Sequence, residues 1–143
     1  MQFIARSVIR ATPERVFAFH ELPDALERLT PAWAGSRIIQ SPSSLDAGAR
    51  SIVEIRVAPF VWVRTELMHV VYEPPALFVD EQVRGPFKSW RHQHRFTKFE
   101  NGTELADVID FEPPLGLITP LIILPRLRRL FAYRHDVTRA WCE

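Results

Sequence analysis

The chain has 143 residues, 47% hydrophobic and 24% charged, as expected for one globular domain spanning residues 1–143. A formal net charge of +1 argues against field-driven attraction to nucleic acid, so we expect no nucleic-acid partner. The single cysteine excludes an internal disulfide, and the sequence shows neither an apolar signal segment nor a membrane-spanning apolar run, which predicts a cytoplasmic protein.

The N-terminal part predicts one strand and two short helices. Residues 2–10 have a strand-like pattern. Thr12 and Pro13 then supply a capping hydroxyl and a proline at the first helical position, so a helix should begin there, with His20 on its apolar side. A second helical piece is predicted over residues 23–29.

A run of strands follows, and apolar and polar side chains alternate along it. His69 shares a strand face with Leu67 and Val71, and Glu81 shares one with Val79, so Glu81 is a candidate to enter a cavity. The strands are predicted at residues 36–40, 53–57, 61–72, 77–84 and 89–97.

The segment Glu100–Thr103 contains Asn-Gly, the strongest short signal for a two-residue hairpin turn. With Glu100 paired to Thr103, the two flanking strands acquire a defined register, and one face of the hairpin collects the more apolar residues and the histidines. This register places Phe96 opposite Asp107, His94 opposite Ile109 and His92 opposite Phe111.

The strand from Trp90 to Phe96 is the most informative segment. Its alternation puts Trp90, His92, His94 and Phe96 on one face, because strand side chains point to opposite faces with period two. An ordinary half-buried strand carries aliphatic residues there. Two aromatic rings and two imidazoles suit the wall of a mixed apolar and polar pocket better than a dry core.

The C-terminal part predicts an apolar linker, residues 115–124, and an amphipathic helix that begins at Pro125. His135 falls on its polar side. The linker, followed by arginines, suits either a membrane surface or a pocket lid beside the helix. We favour the lid and expect no membrane contact. The apolar stripe of the helix comprises Leu127, Leu130, Phe131, Arg134, Val137 and Trp141.

This order of elements, together with Gly85-Pro86-Phe87, the Trp90-x-His92-x-His94-x-Phe96 strand and Pro113-Pro114, resembles the START-like helix-grip superfamily. It looks most like the bacterial ligand-binding SRPBCC branch, related to polyketide cyclase/dehydrase proteins. The resemblance covers nearly the whole chain. It implies an α+β fold in which a curved antiparallel sheet wraps around a long C-terminal helix, with two short N-terminal helices.

Two local arrangements have competing interpretations. His92 and His94, with His69 and Asp107 nearby, have the spacing of a zinc or iron site, but a lone His-x-His is a weak motif. We therefore expect pocket-lining histidines, no metal and no cofactor. Asp107 could act as a base, orient His94 or pair with Lys98 at the rim, and we favour the ion pair with Lys98 because structural pairs are commoner than catalytic ones.

The predicted function is binding of a hydrophobic or amphipathic small molecule, such as a lipid, polyketide or isoprenoid-like compound, in an internal cavity. The alternatives are a polyketide cyclase/dehydratase-like enzyme, with a pocket histidine as acid or base, and a partner-binding module without a ligand. The predicted ligand-binding residues are His69, Trp90, His92, His94, Phe96, Asp107, Ile109 and Phe111.

Overall fold

The structure, a computed structural model, describes residues 1–114 and 120–143. The elements in chain order are β1 (Gln2–Ile9), α1 (Pro13–His20), α2 (Ala25–Arg28), a 3₁₀ turn (Ala32–Ala34), β2 (Ser36–Gln40), β3 (Arg50–Ala58), β4 (Val61–Glu73), β5 (Leu77–Arg84), β6 (Ser89–Phe99), β7 (Gly102–Glu112) and α3 (Pro120–Cys142).

The seven strands form one antiparallel sheet in the order β1-β7-β6-β5-β4-β3-β2. This sheet curls into a half-barrel, and α3, α1 and α2 complete the fold, which confirms the predicted α+β helix-grip architecture. The predicted start of α1 is also confirmed. Thr12 Oγ1 accepts a hydrogen bond from the Arg15 amide at 3.2 Å, and Pro13 occupies the first helical turn.

The predicted register of the β6–β7 hairpin is wrong by two residues. Phe99 pairs with Gly102, so the two loop residues are Glu100 and Asn101, and Glu100 adopts a positive φ of 51°. Gly102 is a strand residue, and a Cβ there would lie 2.4 Å from the carbonyl oxygen of Ile9. The glycine therefore permits a close approach to the end of β1, rather than forming the turn.

Because the register error is an even number of residues, every side chain stays on its predicted face but meets a different partner. The observed pairs are Phe96 with Leu105, His94 with Asp107, His92 with Ile109, and Trp90 with Phe111.

The C-terminal helix begins at Pro120 rather than Pro125, which lies inside its second turn. Proline lacks an amide hydrogen and removes one helical hydrogen bond, a loss that is least costly near a helix start. The innermost stripe also differs from the predicted one, because His135 is buried. That stripe consists of Ile123, Leu127, Phe131, His135, Thr138 and Cys142. Residues 115–119 of the predicted linker lie outside the described residues. No helix in the described ranges is long and apolar enough to cross a membrane.

Two groups of buried apolar side chains form the core, and His92 and His94 lie between them. His94 stacks on Phe78 of the first group, with ring centroids 3.8 Å apart. His92 contacts Phe131 of the second group edge-on, at 5.3 Å. Imidazoles and carboxylates therefore reach the interior between two hydrophobic groups.

Candidate functional site: a cavity with a buried histidine and aspartate network

A cavity of about 430 Å³ is bounded by the concave face of the sheet, the α1–α2 region and one side of α3. Much of its wall is apolar, which suits a hydrophobic ligand body. The apolar wall includes Leu22, Leu26, Leu29, Leu45, Val53, Ile55, Leu67, Phe87, Trp90, Leu127, Leu130 and Phe131.

The predicted site residues fall into two groups. Four of the eight line this cavity: His69, Trp90, His92 and His94. The other four lie in the interior behind the wall. Phe96 packs with Phe17 and Phe78, whereas Ile109 and Phe111 pack beneath α3, and each of the three is at most 3% exposed. Asp107 is 5% exposed and contacts the histidines from behind.

Asp107 is the centre of the polar network. Its Oδ1 accepts a hydrogen bond from His92 Nε2, and its Oδ2 accepts one from His135 Nε2, both at 2.7 Å. Burial alone would raise the pKa of Asp107, but the hydrogen bonds from His135 and His92 and the neighbouring His94 hold it well below its usual value. The predicted Lys98–Asp107 pair is wrong, because Lys98 lies opposite Thr103, which is four positions before Asp107 in β7.

His94 lies between two carboxylates. Its Nε2 donates to Asp80 Oδ2 at 2.8 Å, and its Nδ1 lies 3.3 Å from Asp107 Oδ1. Burial lowers the pKa of His94, but hydrogen bonds to Asp107 and Asp80 outweigh it and raise the pKa above its ordinary value. The pKa of His92 is lowered by burial and by the charge of His94. A charged His94 beside a neutral His92 is consistent with this arrangement.

The sequence pattern misses two members of the network. One is Asp80, because alternation along β5 groups Glu81 with the apolar residues Leu77 and Val79 and so points Asp80 the other way. In the structure Phe78, Val79 and Asp80 are all buried, so alternation carries no information there. Glu81, the predicted cavity candidate, instead pairs with Arg91 at 3.2 Å on the other face.

The other missed member is His135, which the sequence pattern places on the polar side of α3 but which is 4% exposed. A signal was present, since His135 lies one turn after Phe131 and two turns after Leu127. Its Nδ1 accepts a hydrogen bond from the Ser7 hydroxyl on β1. Ser7 and His135 line a second groove between β1 and α3, so the network extends from the cavity towards this groove.

Two further histidines line the cavity. His20 donates from Nδ1 to the Val16 carbonyl at 2.9 Å, and burial lowers its pKa to about 4. Burial also lowers the pKa of His69. Nδ1 of His69 is buried and has no hydrogen-bond partner in the described part of the chain. A neutral, partly unsatisfied imidazole on a cavity wall can accept or donate a hydrogen bond to a bound molecule.

Arginines occupy another part of the cavity wall. Arg126 donates to the Ala34 carbonyl at 3.4 Å, and the Arg129 guanidinium lies 4.0 Å from the centroid of the Trp33 ring. Arg134, in the predicted apolar stripe, donates to the Leu29 carbonyl at 2.9 Å. The wall near the 3₁₀ turn is therefore positively charged.

Three polar side chains of the wall converge closely enough to share one metal ion. Asp80, His92 and His94 are buried, and each offers a ligand atom within 4.8 Å of the other two. They lie on adjacent strands β5 and β6, with Asp80 directly opposite His92.

Comparison with known proteins agrees with this architecture. The protein TTHA0849 from Thermus thermophilus is similar over 100% of both chains, with a TM-score of 0.71 and 16% identity. Ginseng major latex-like protein 151 from Panax ginseng has a TM-score of 0.71 and 14% identity over 100% of this chain and 97% of its own. A nucleoside-diphosphate sugar epimerase from Corynebacterium glutamicum matches with a TM-score of 0.76 and 22% identity, over 96% of this chain but 28% of its own. At these identities the similarity establishes the fold alone.

The sequence matches the family described as polyketide cyclase / dehydrase and lipid transport over residues 9–132. The chain therefore belongs to this family, within the SRPBCC group of the START-like helix-grip superfamily. No curated protein sequence matches it. Family and fold are consistent with binding of a hydrophobic ligand.

Proposed function

We propose that the protein binds an amphipathic small molecule, such as a lipid, polyketide or isoprenoid-like compound, in the cavity between α3 and the sheet. The observation that carries this proposal is the contrast within one cavity wall. Leucines, Trp90 and Phe131 offer apolar area. The arginines lie near the 3₁₀ turn, and three of the histidines lie on strands β4 and β6. Such a wall suits a ligand with an apolar body and one polar end.

Three polar groups support an amphipathic rather than a purely apolar ligand. His69 brings a polar imidazole, whose pKa burial lowers, to the cavity wall. Arg126 and Arg129 bring positive charge to the wall near the 3₁₀ turn, which favours a negatively charged end. The family's description, which includes lipid transport, agrees with such a ligand.

The test uses the fluorescence of N-phenyl-1-naphthylamine, a neutral apolar probe, together with native mass spectrometry of freshly purified protein. We expect saturable probe binding, and bound mass that is released by organic solvent. Leu67→Trp, which narrows the cavity, should weaken probe binding. Val8→Trp, at a position that is 45% exposed on β1, is the matched control and should bind normally. Equal binding by both folded variants would refute the proposal.

One observation favours a second function, acid–base catalysis on a polyketide-like substrate. Asp107 fixes His92 through Nε2, while Nδ1 of His92 lies 3.9 Å from Asp80, beyond hydrogen-bond distance. A neutral imidazole held in this way can accept a proton from a substrate in the cavity. Turnover of cyclisable polyketide analogues that is lost in His92→Gln, with probe binding retained, would support this function. Absence of turnover in the wild type would exclude it for those analogues.

A further inference from the structure

Asp80, His92 and His94 lie on neighbouring strands and each offers a ligand atom close to the other two; Asp80 and His92 are buried, and the His94 side chain is 12% exposed. We propose that they form a binding site for one divalent first-row transition-metal ion, such as Zn²⁺ or Fe²⁺. Two imidazoles and one carboxylate are donors that such ions accept, and three protein ligands leave further coordination positions. All three residues line the cavity, so those positions face the space available to a small molecule.

The distances between the ligand atoms suit an ion of this size. Asp80 Oδ2 lies 2.8 Å from His94 Nε2 and 3.9 Å from His92 Nδ1. A tetrahedral zinc ion places neighbouring ligand atoms about 3.3 Å apart, a value between these two distances. One ligand atom of each residue lies within 4.8 Å of the other two, so side-chain rotations can bring the three atoms to coordination distance.

The residue behind the triad strengthens the assignment. Both histidines present their second nitrogen to the same carboxylate oxygen, Asp107 Oδ1, at 2.7 Å for His92 and 3.3 Å for His94. Metal-bound histidines almost always have such an outer partner, which fixes the ring and directs the free nitrogen at the ion. His135 in turn holds Asp107 from α3.

Charge agrees with the geometry. An ion bound at His94 Nε2 displaces the proton that this nitrogen donates to Asp80, and with both imidazoles then neutral the carboxylates of Asp80 and Asp107 balance the charge of one divalent ion. Imidazole donors favour transition metals over Mg²⁺ and Ca²⁺, which prefer all-oxygen sites. The metal site requires no organic ligand. Metal binding can therefore be tested independently of the proposed function.

The experiment uses tag-free protein that has been treated with a chelator and then freed of it. Zn²⁺ is titrated calorimetrically and Co²⁺ by its visible absorption, with Mg²⁺ as the comparison. We expect one Zn²⁺ or Co²⁺ per chain, displacement of Co²⁺ by Zn²⁺, and no uptake of Mg²⁺. Absence of Zn²⁺ and Co²⁺ uptake by the folded wild-type protein would overturn the proposal.

Variants locate the ion. Asp80→Asn and His92→Gln should abolish binding, and Asp107→Asn should weaken it by about 10- to 100-fold through loss of the outer partner. His20→Gln alters another buried histidine of the same cavity and should bind as the wild type does. Undiminished binding by folded Asp80→Asn or His92→Gln would overturn the assignment.

A spectroscopic measurement decides the matter if the triad variants fail to fold. X-ray absorption at the zinc edge of the wild-type protein should show two imidazole ligands and one carboxylate ligand. A zinc environment with fewer than two imidazoles would overturn the proposal, since the ion would then lie elsewhere.

Discussion

Asp107 on β7 accepts a 2.7 Å hydrogen bond from His135 on α3, and both side chains are at most 5% exposed. This bond joins the sheet to the helix that packs against it. It also completes the set of contacts that allows the Asp107 carboxylate to remain buried and charged, because an unpartnered carboxylate in the same place would be strongly destabilising.

We expect His135→Gln to destabilise the protein by about 1–3 kcal/mol, because a buried donor to a charged acceptor is lost or misplaced. The measurement is urea unfolding at pH 7.5. Asp136→Asn is the control at the neighbouring position, where the side chain is 76% exposed. It should change the free energy of unfolding by less than about 0.5 kcal/mol. Equal stability of both variants would contradict the structural role of His135.

His20 predicts a pH dependence with a defined sign. Its pKa is about 4 in the folded protein because of burial, and the ordinary value is 6.5. Between these values the unfolded chain binds a proton that the folded chain does not. Stability therefore falls as the pH decreases through this window. From pH 7 to pH 5 the loss from His20 amounts to about 2 kcal/mol.

The measurement compares wild type with His20→Leu in urea unfolding at pH 7 and pH 5. The variant removes the titrating group, so its stability should fall by about 2 kcal/mol less than that of the wild type over this interval. An overall change in stability at pH 7 does not affect the comparison, because only the difference between the two pH values is used. Parallel pH dependences would contradict a buried neutral His20.

The sequence predicted the element order and the strand faces because both depend on local periodicity. The capping by Thr12 and the alternation from Trp90 to Phe96 are signals contained within a few residues. The cavity-lining positions of Trp90, His92 and His94 follow from that alternation once the sheet is curved.

The partners of these residues could not be obtained in the same way. Asp80 meets His92 because β5 pairs with β6, a long-range choice that local patterns do not encode. His135 reaches Asp107 only because α3 crosses the sheet at a particular rotation. The hairpin register failed for a similar reason, since Gly102 is required by the approach of Ile9, more than 90 positions earlier in the chain.

Gly102 provides a direct test of that register. In Gly102→Ala the new Cβ would meet the Ile9 carbonyl oxygen at 2.4 Å, and the backbone must move. We expect a destabilisation of about 1–3 kcal/mol in thermal or urea unfolding. Glu100→Gly is the matched control in the same hairpin. Glu100 has a positive φ of 51°, so glycine there should preserve or increase stability. The opposite ranking of the two variants would favour an Asn-Gly turn.

The arginines of the cavity wall predict a preference for acidic ligands. N-phenyl-1-naphthylamine and 1-anilinonaphthalene-8-sulfonate share one aromatic scaffold and differ by a sulfonate, so their affinities isolate the contribution of charge. We expect the sulfonate to bind more tightly than the neutral probe. This difference should shrink at high salt, because exposed charges are screened.

Replacing Arg126 and Arg129 with glutamine should weaken sulfonate binding by roughly tenfold. Two contacts of about 1 kcal/mol each, reduced by screening, account for this value. Binding of the neutral probe should remain unchanged. The exposed Arg128 on the same helix does not line the cavity, and Arg128→Gln serves as the charge-matched control for each replacement. A sulfonate affinity that falls equally in Arg128→Gln would indicate a general effect of net charge rather than recognition at the cavity wall.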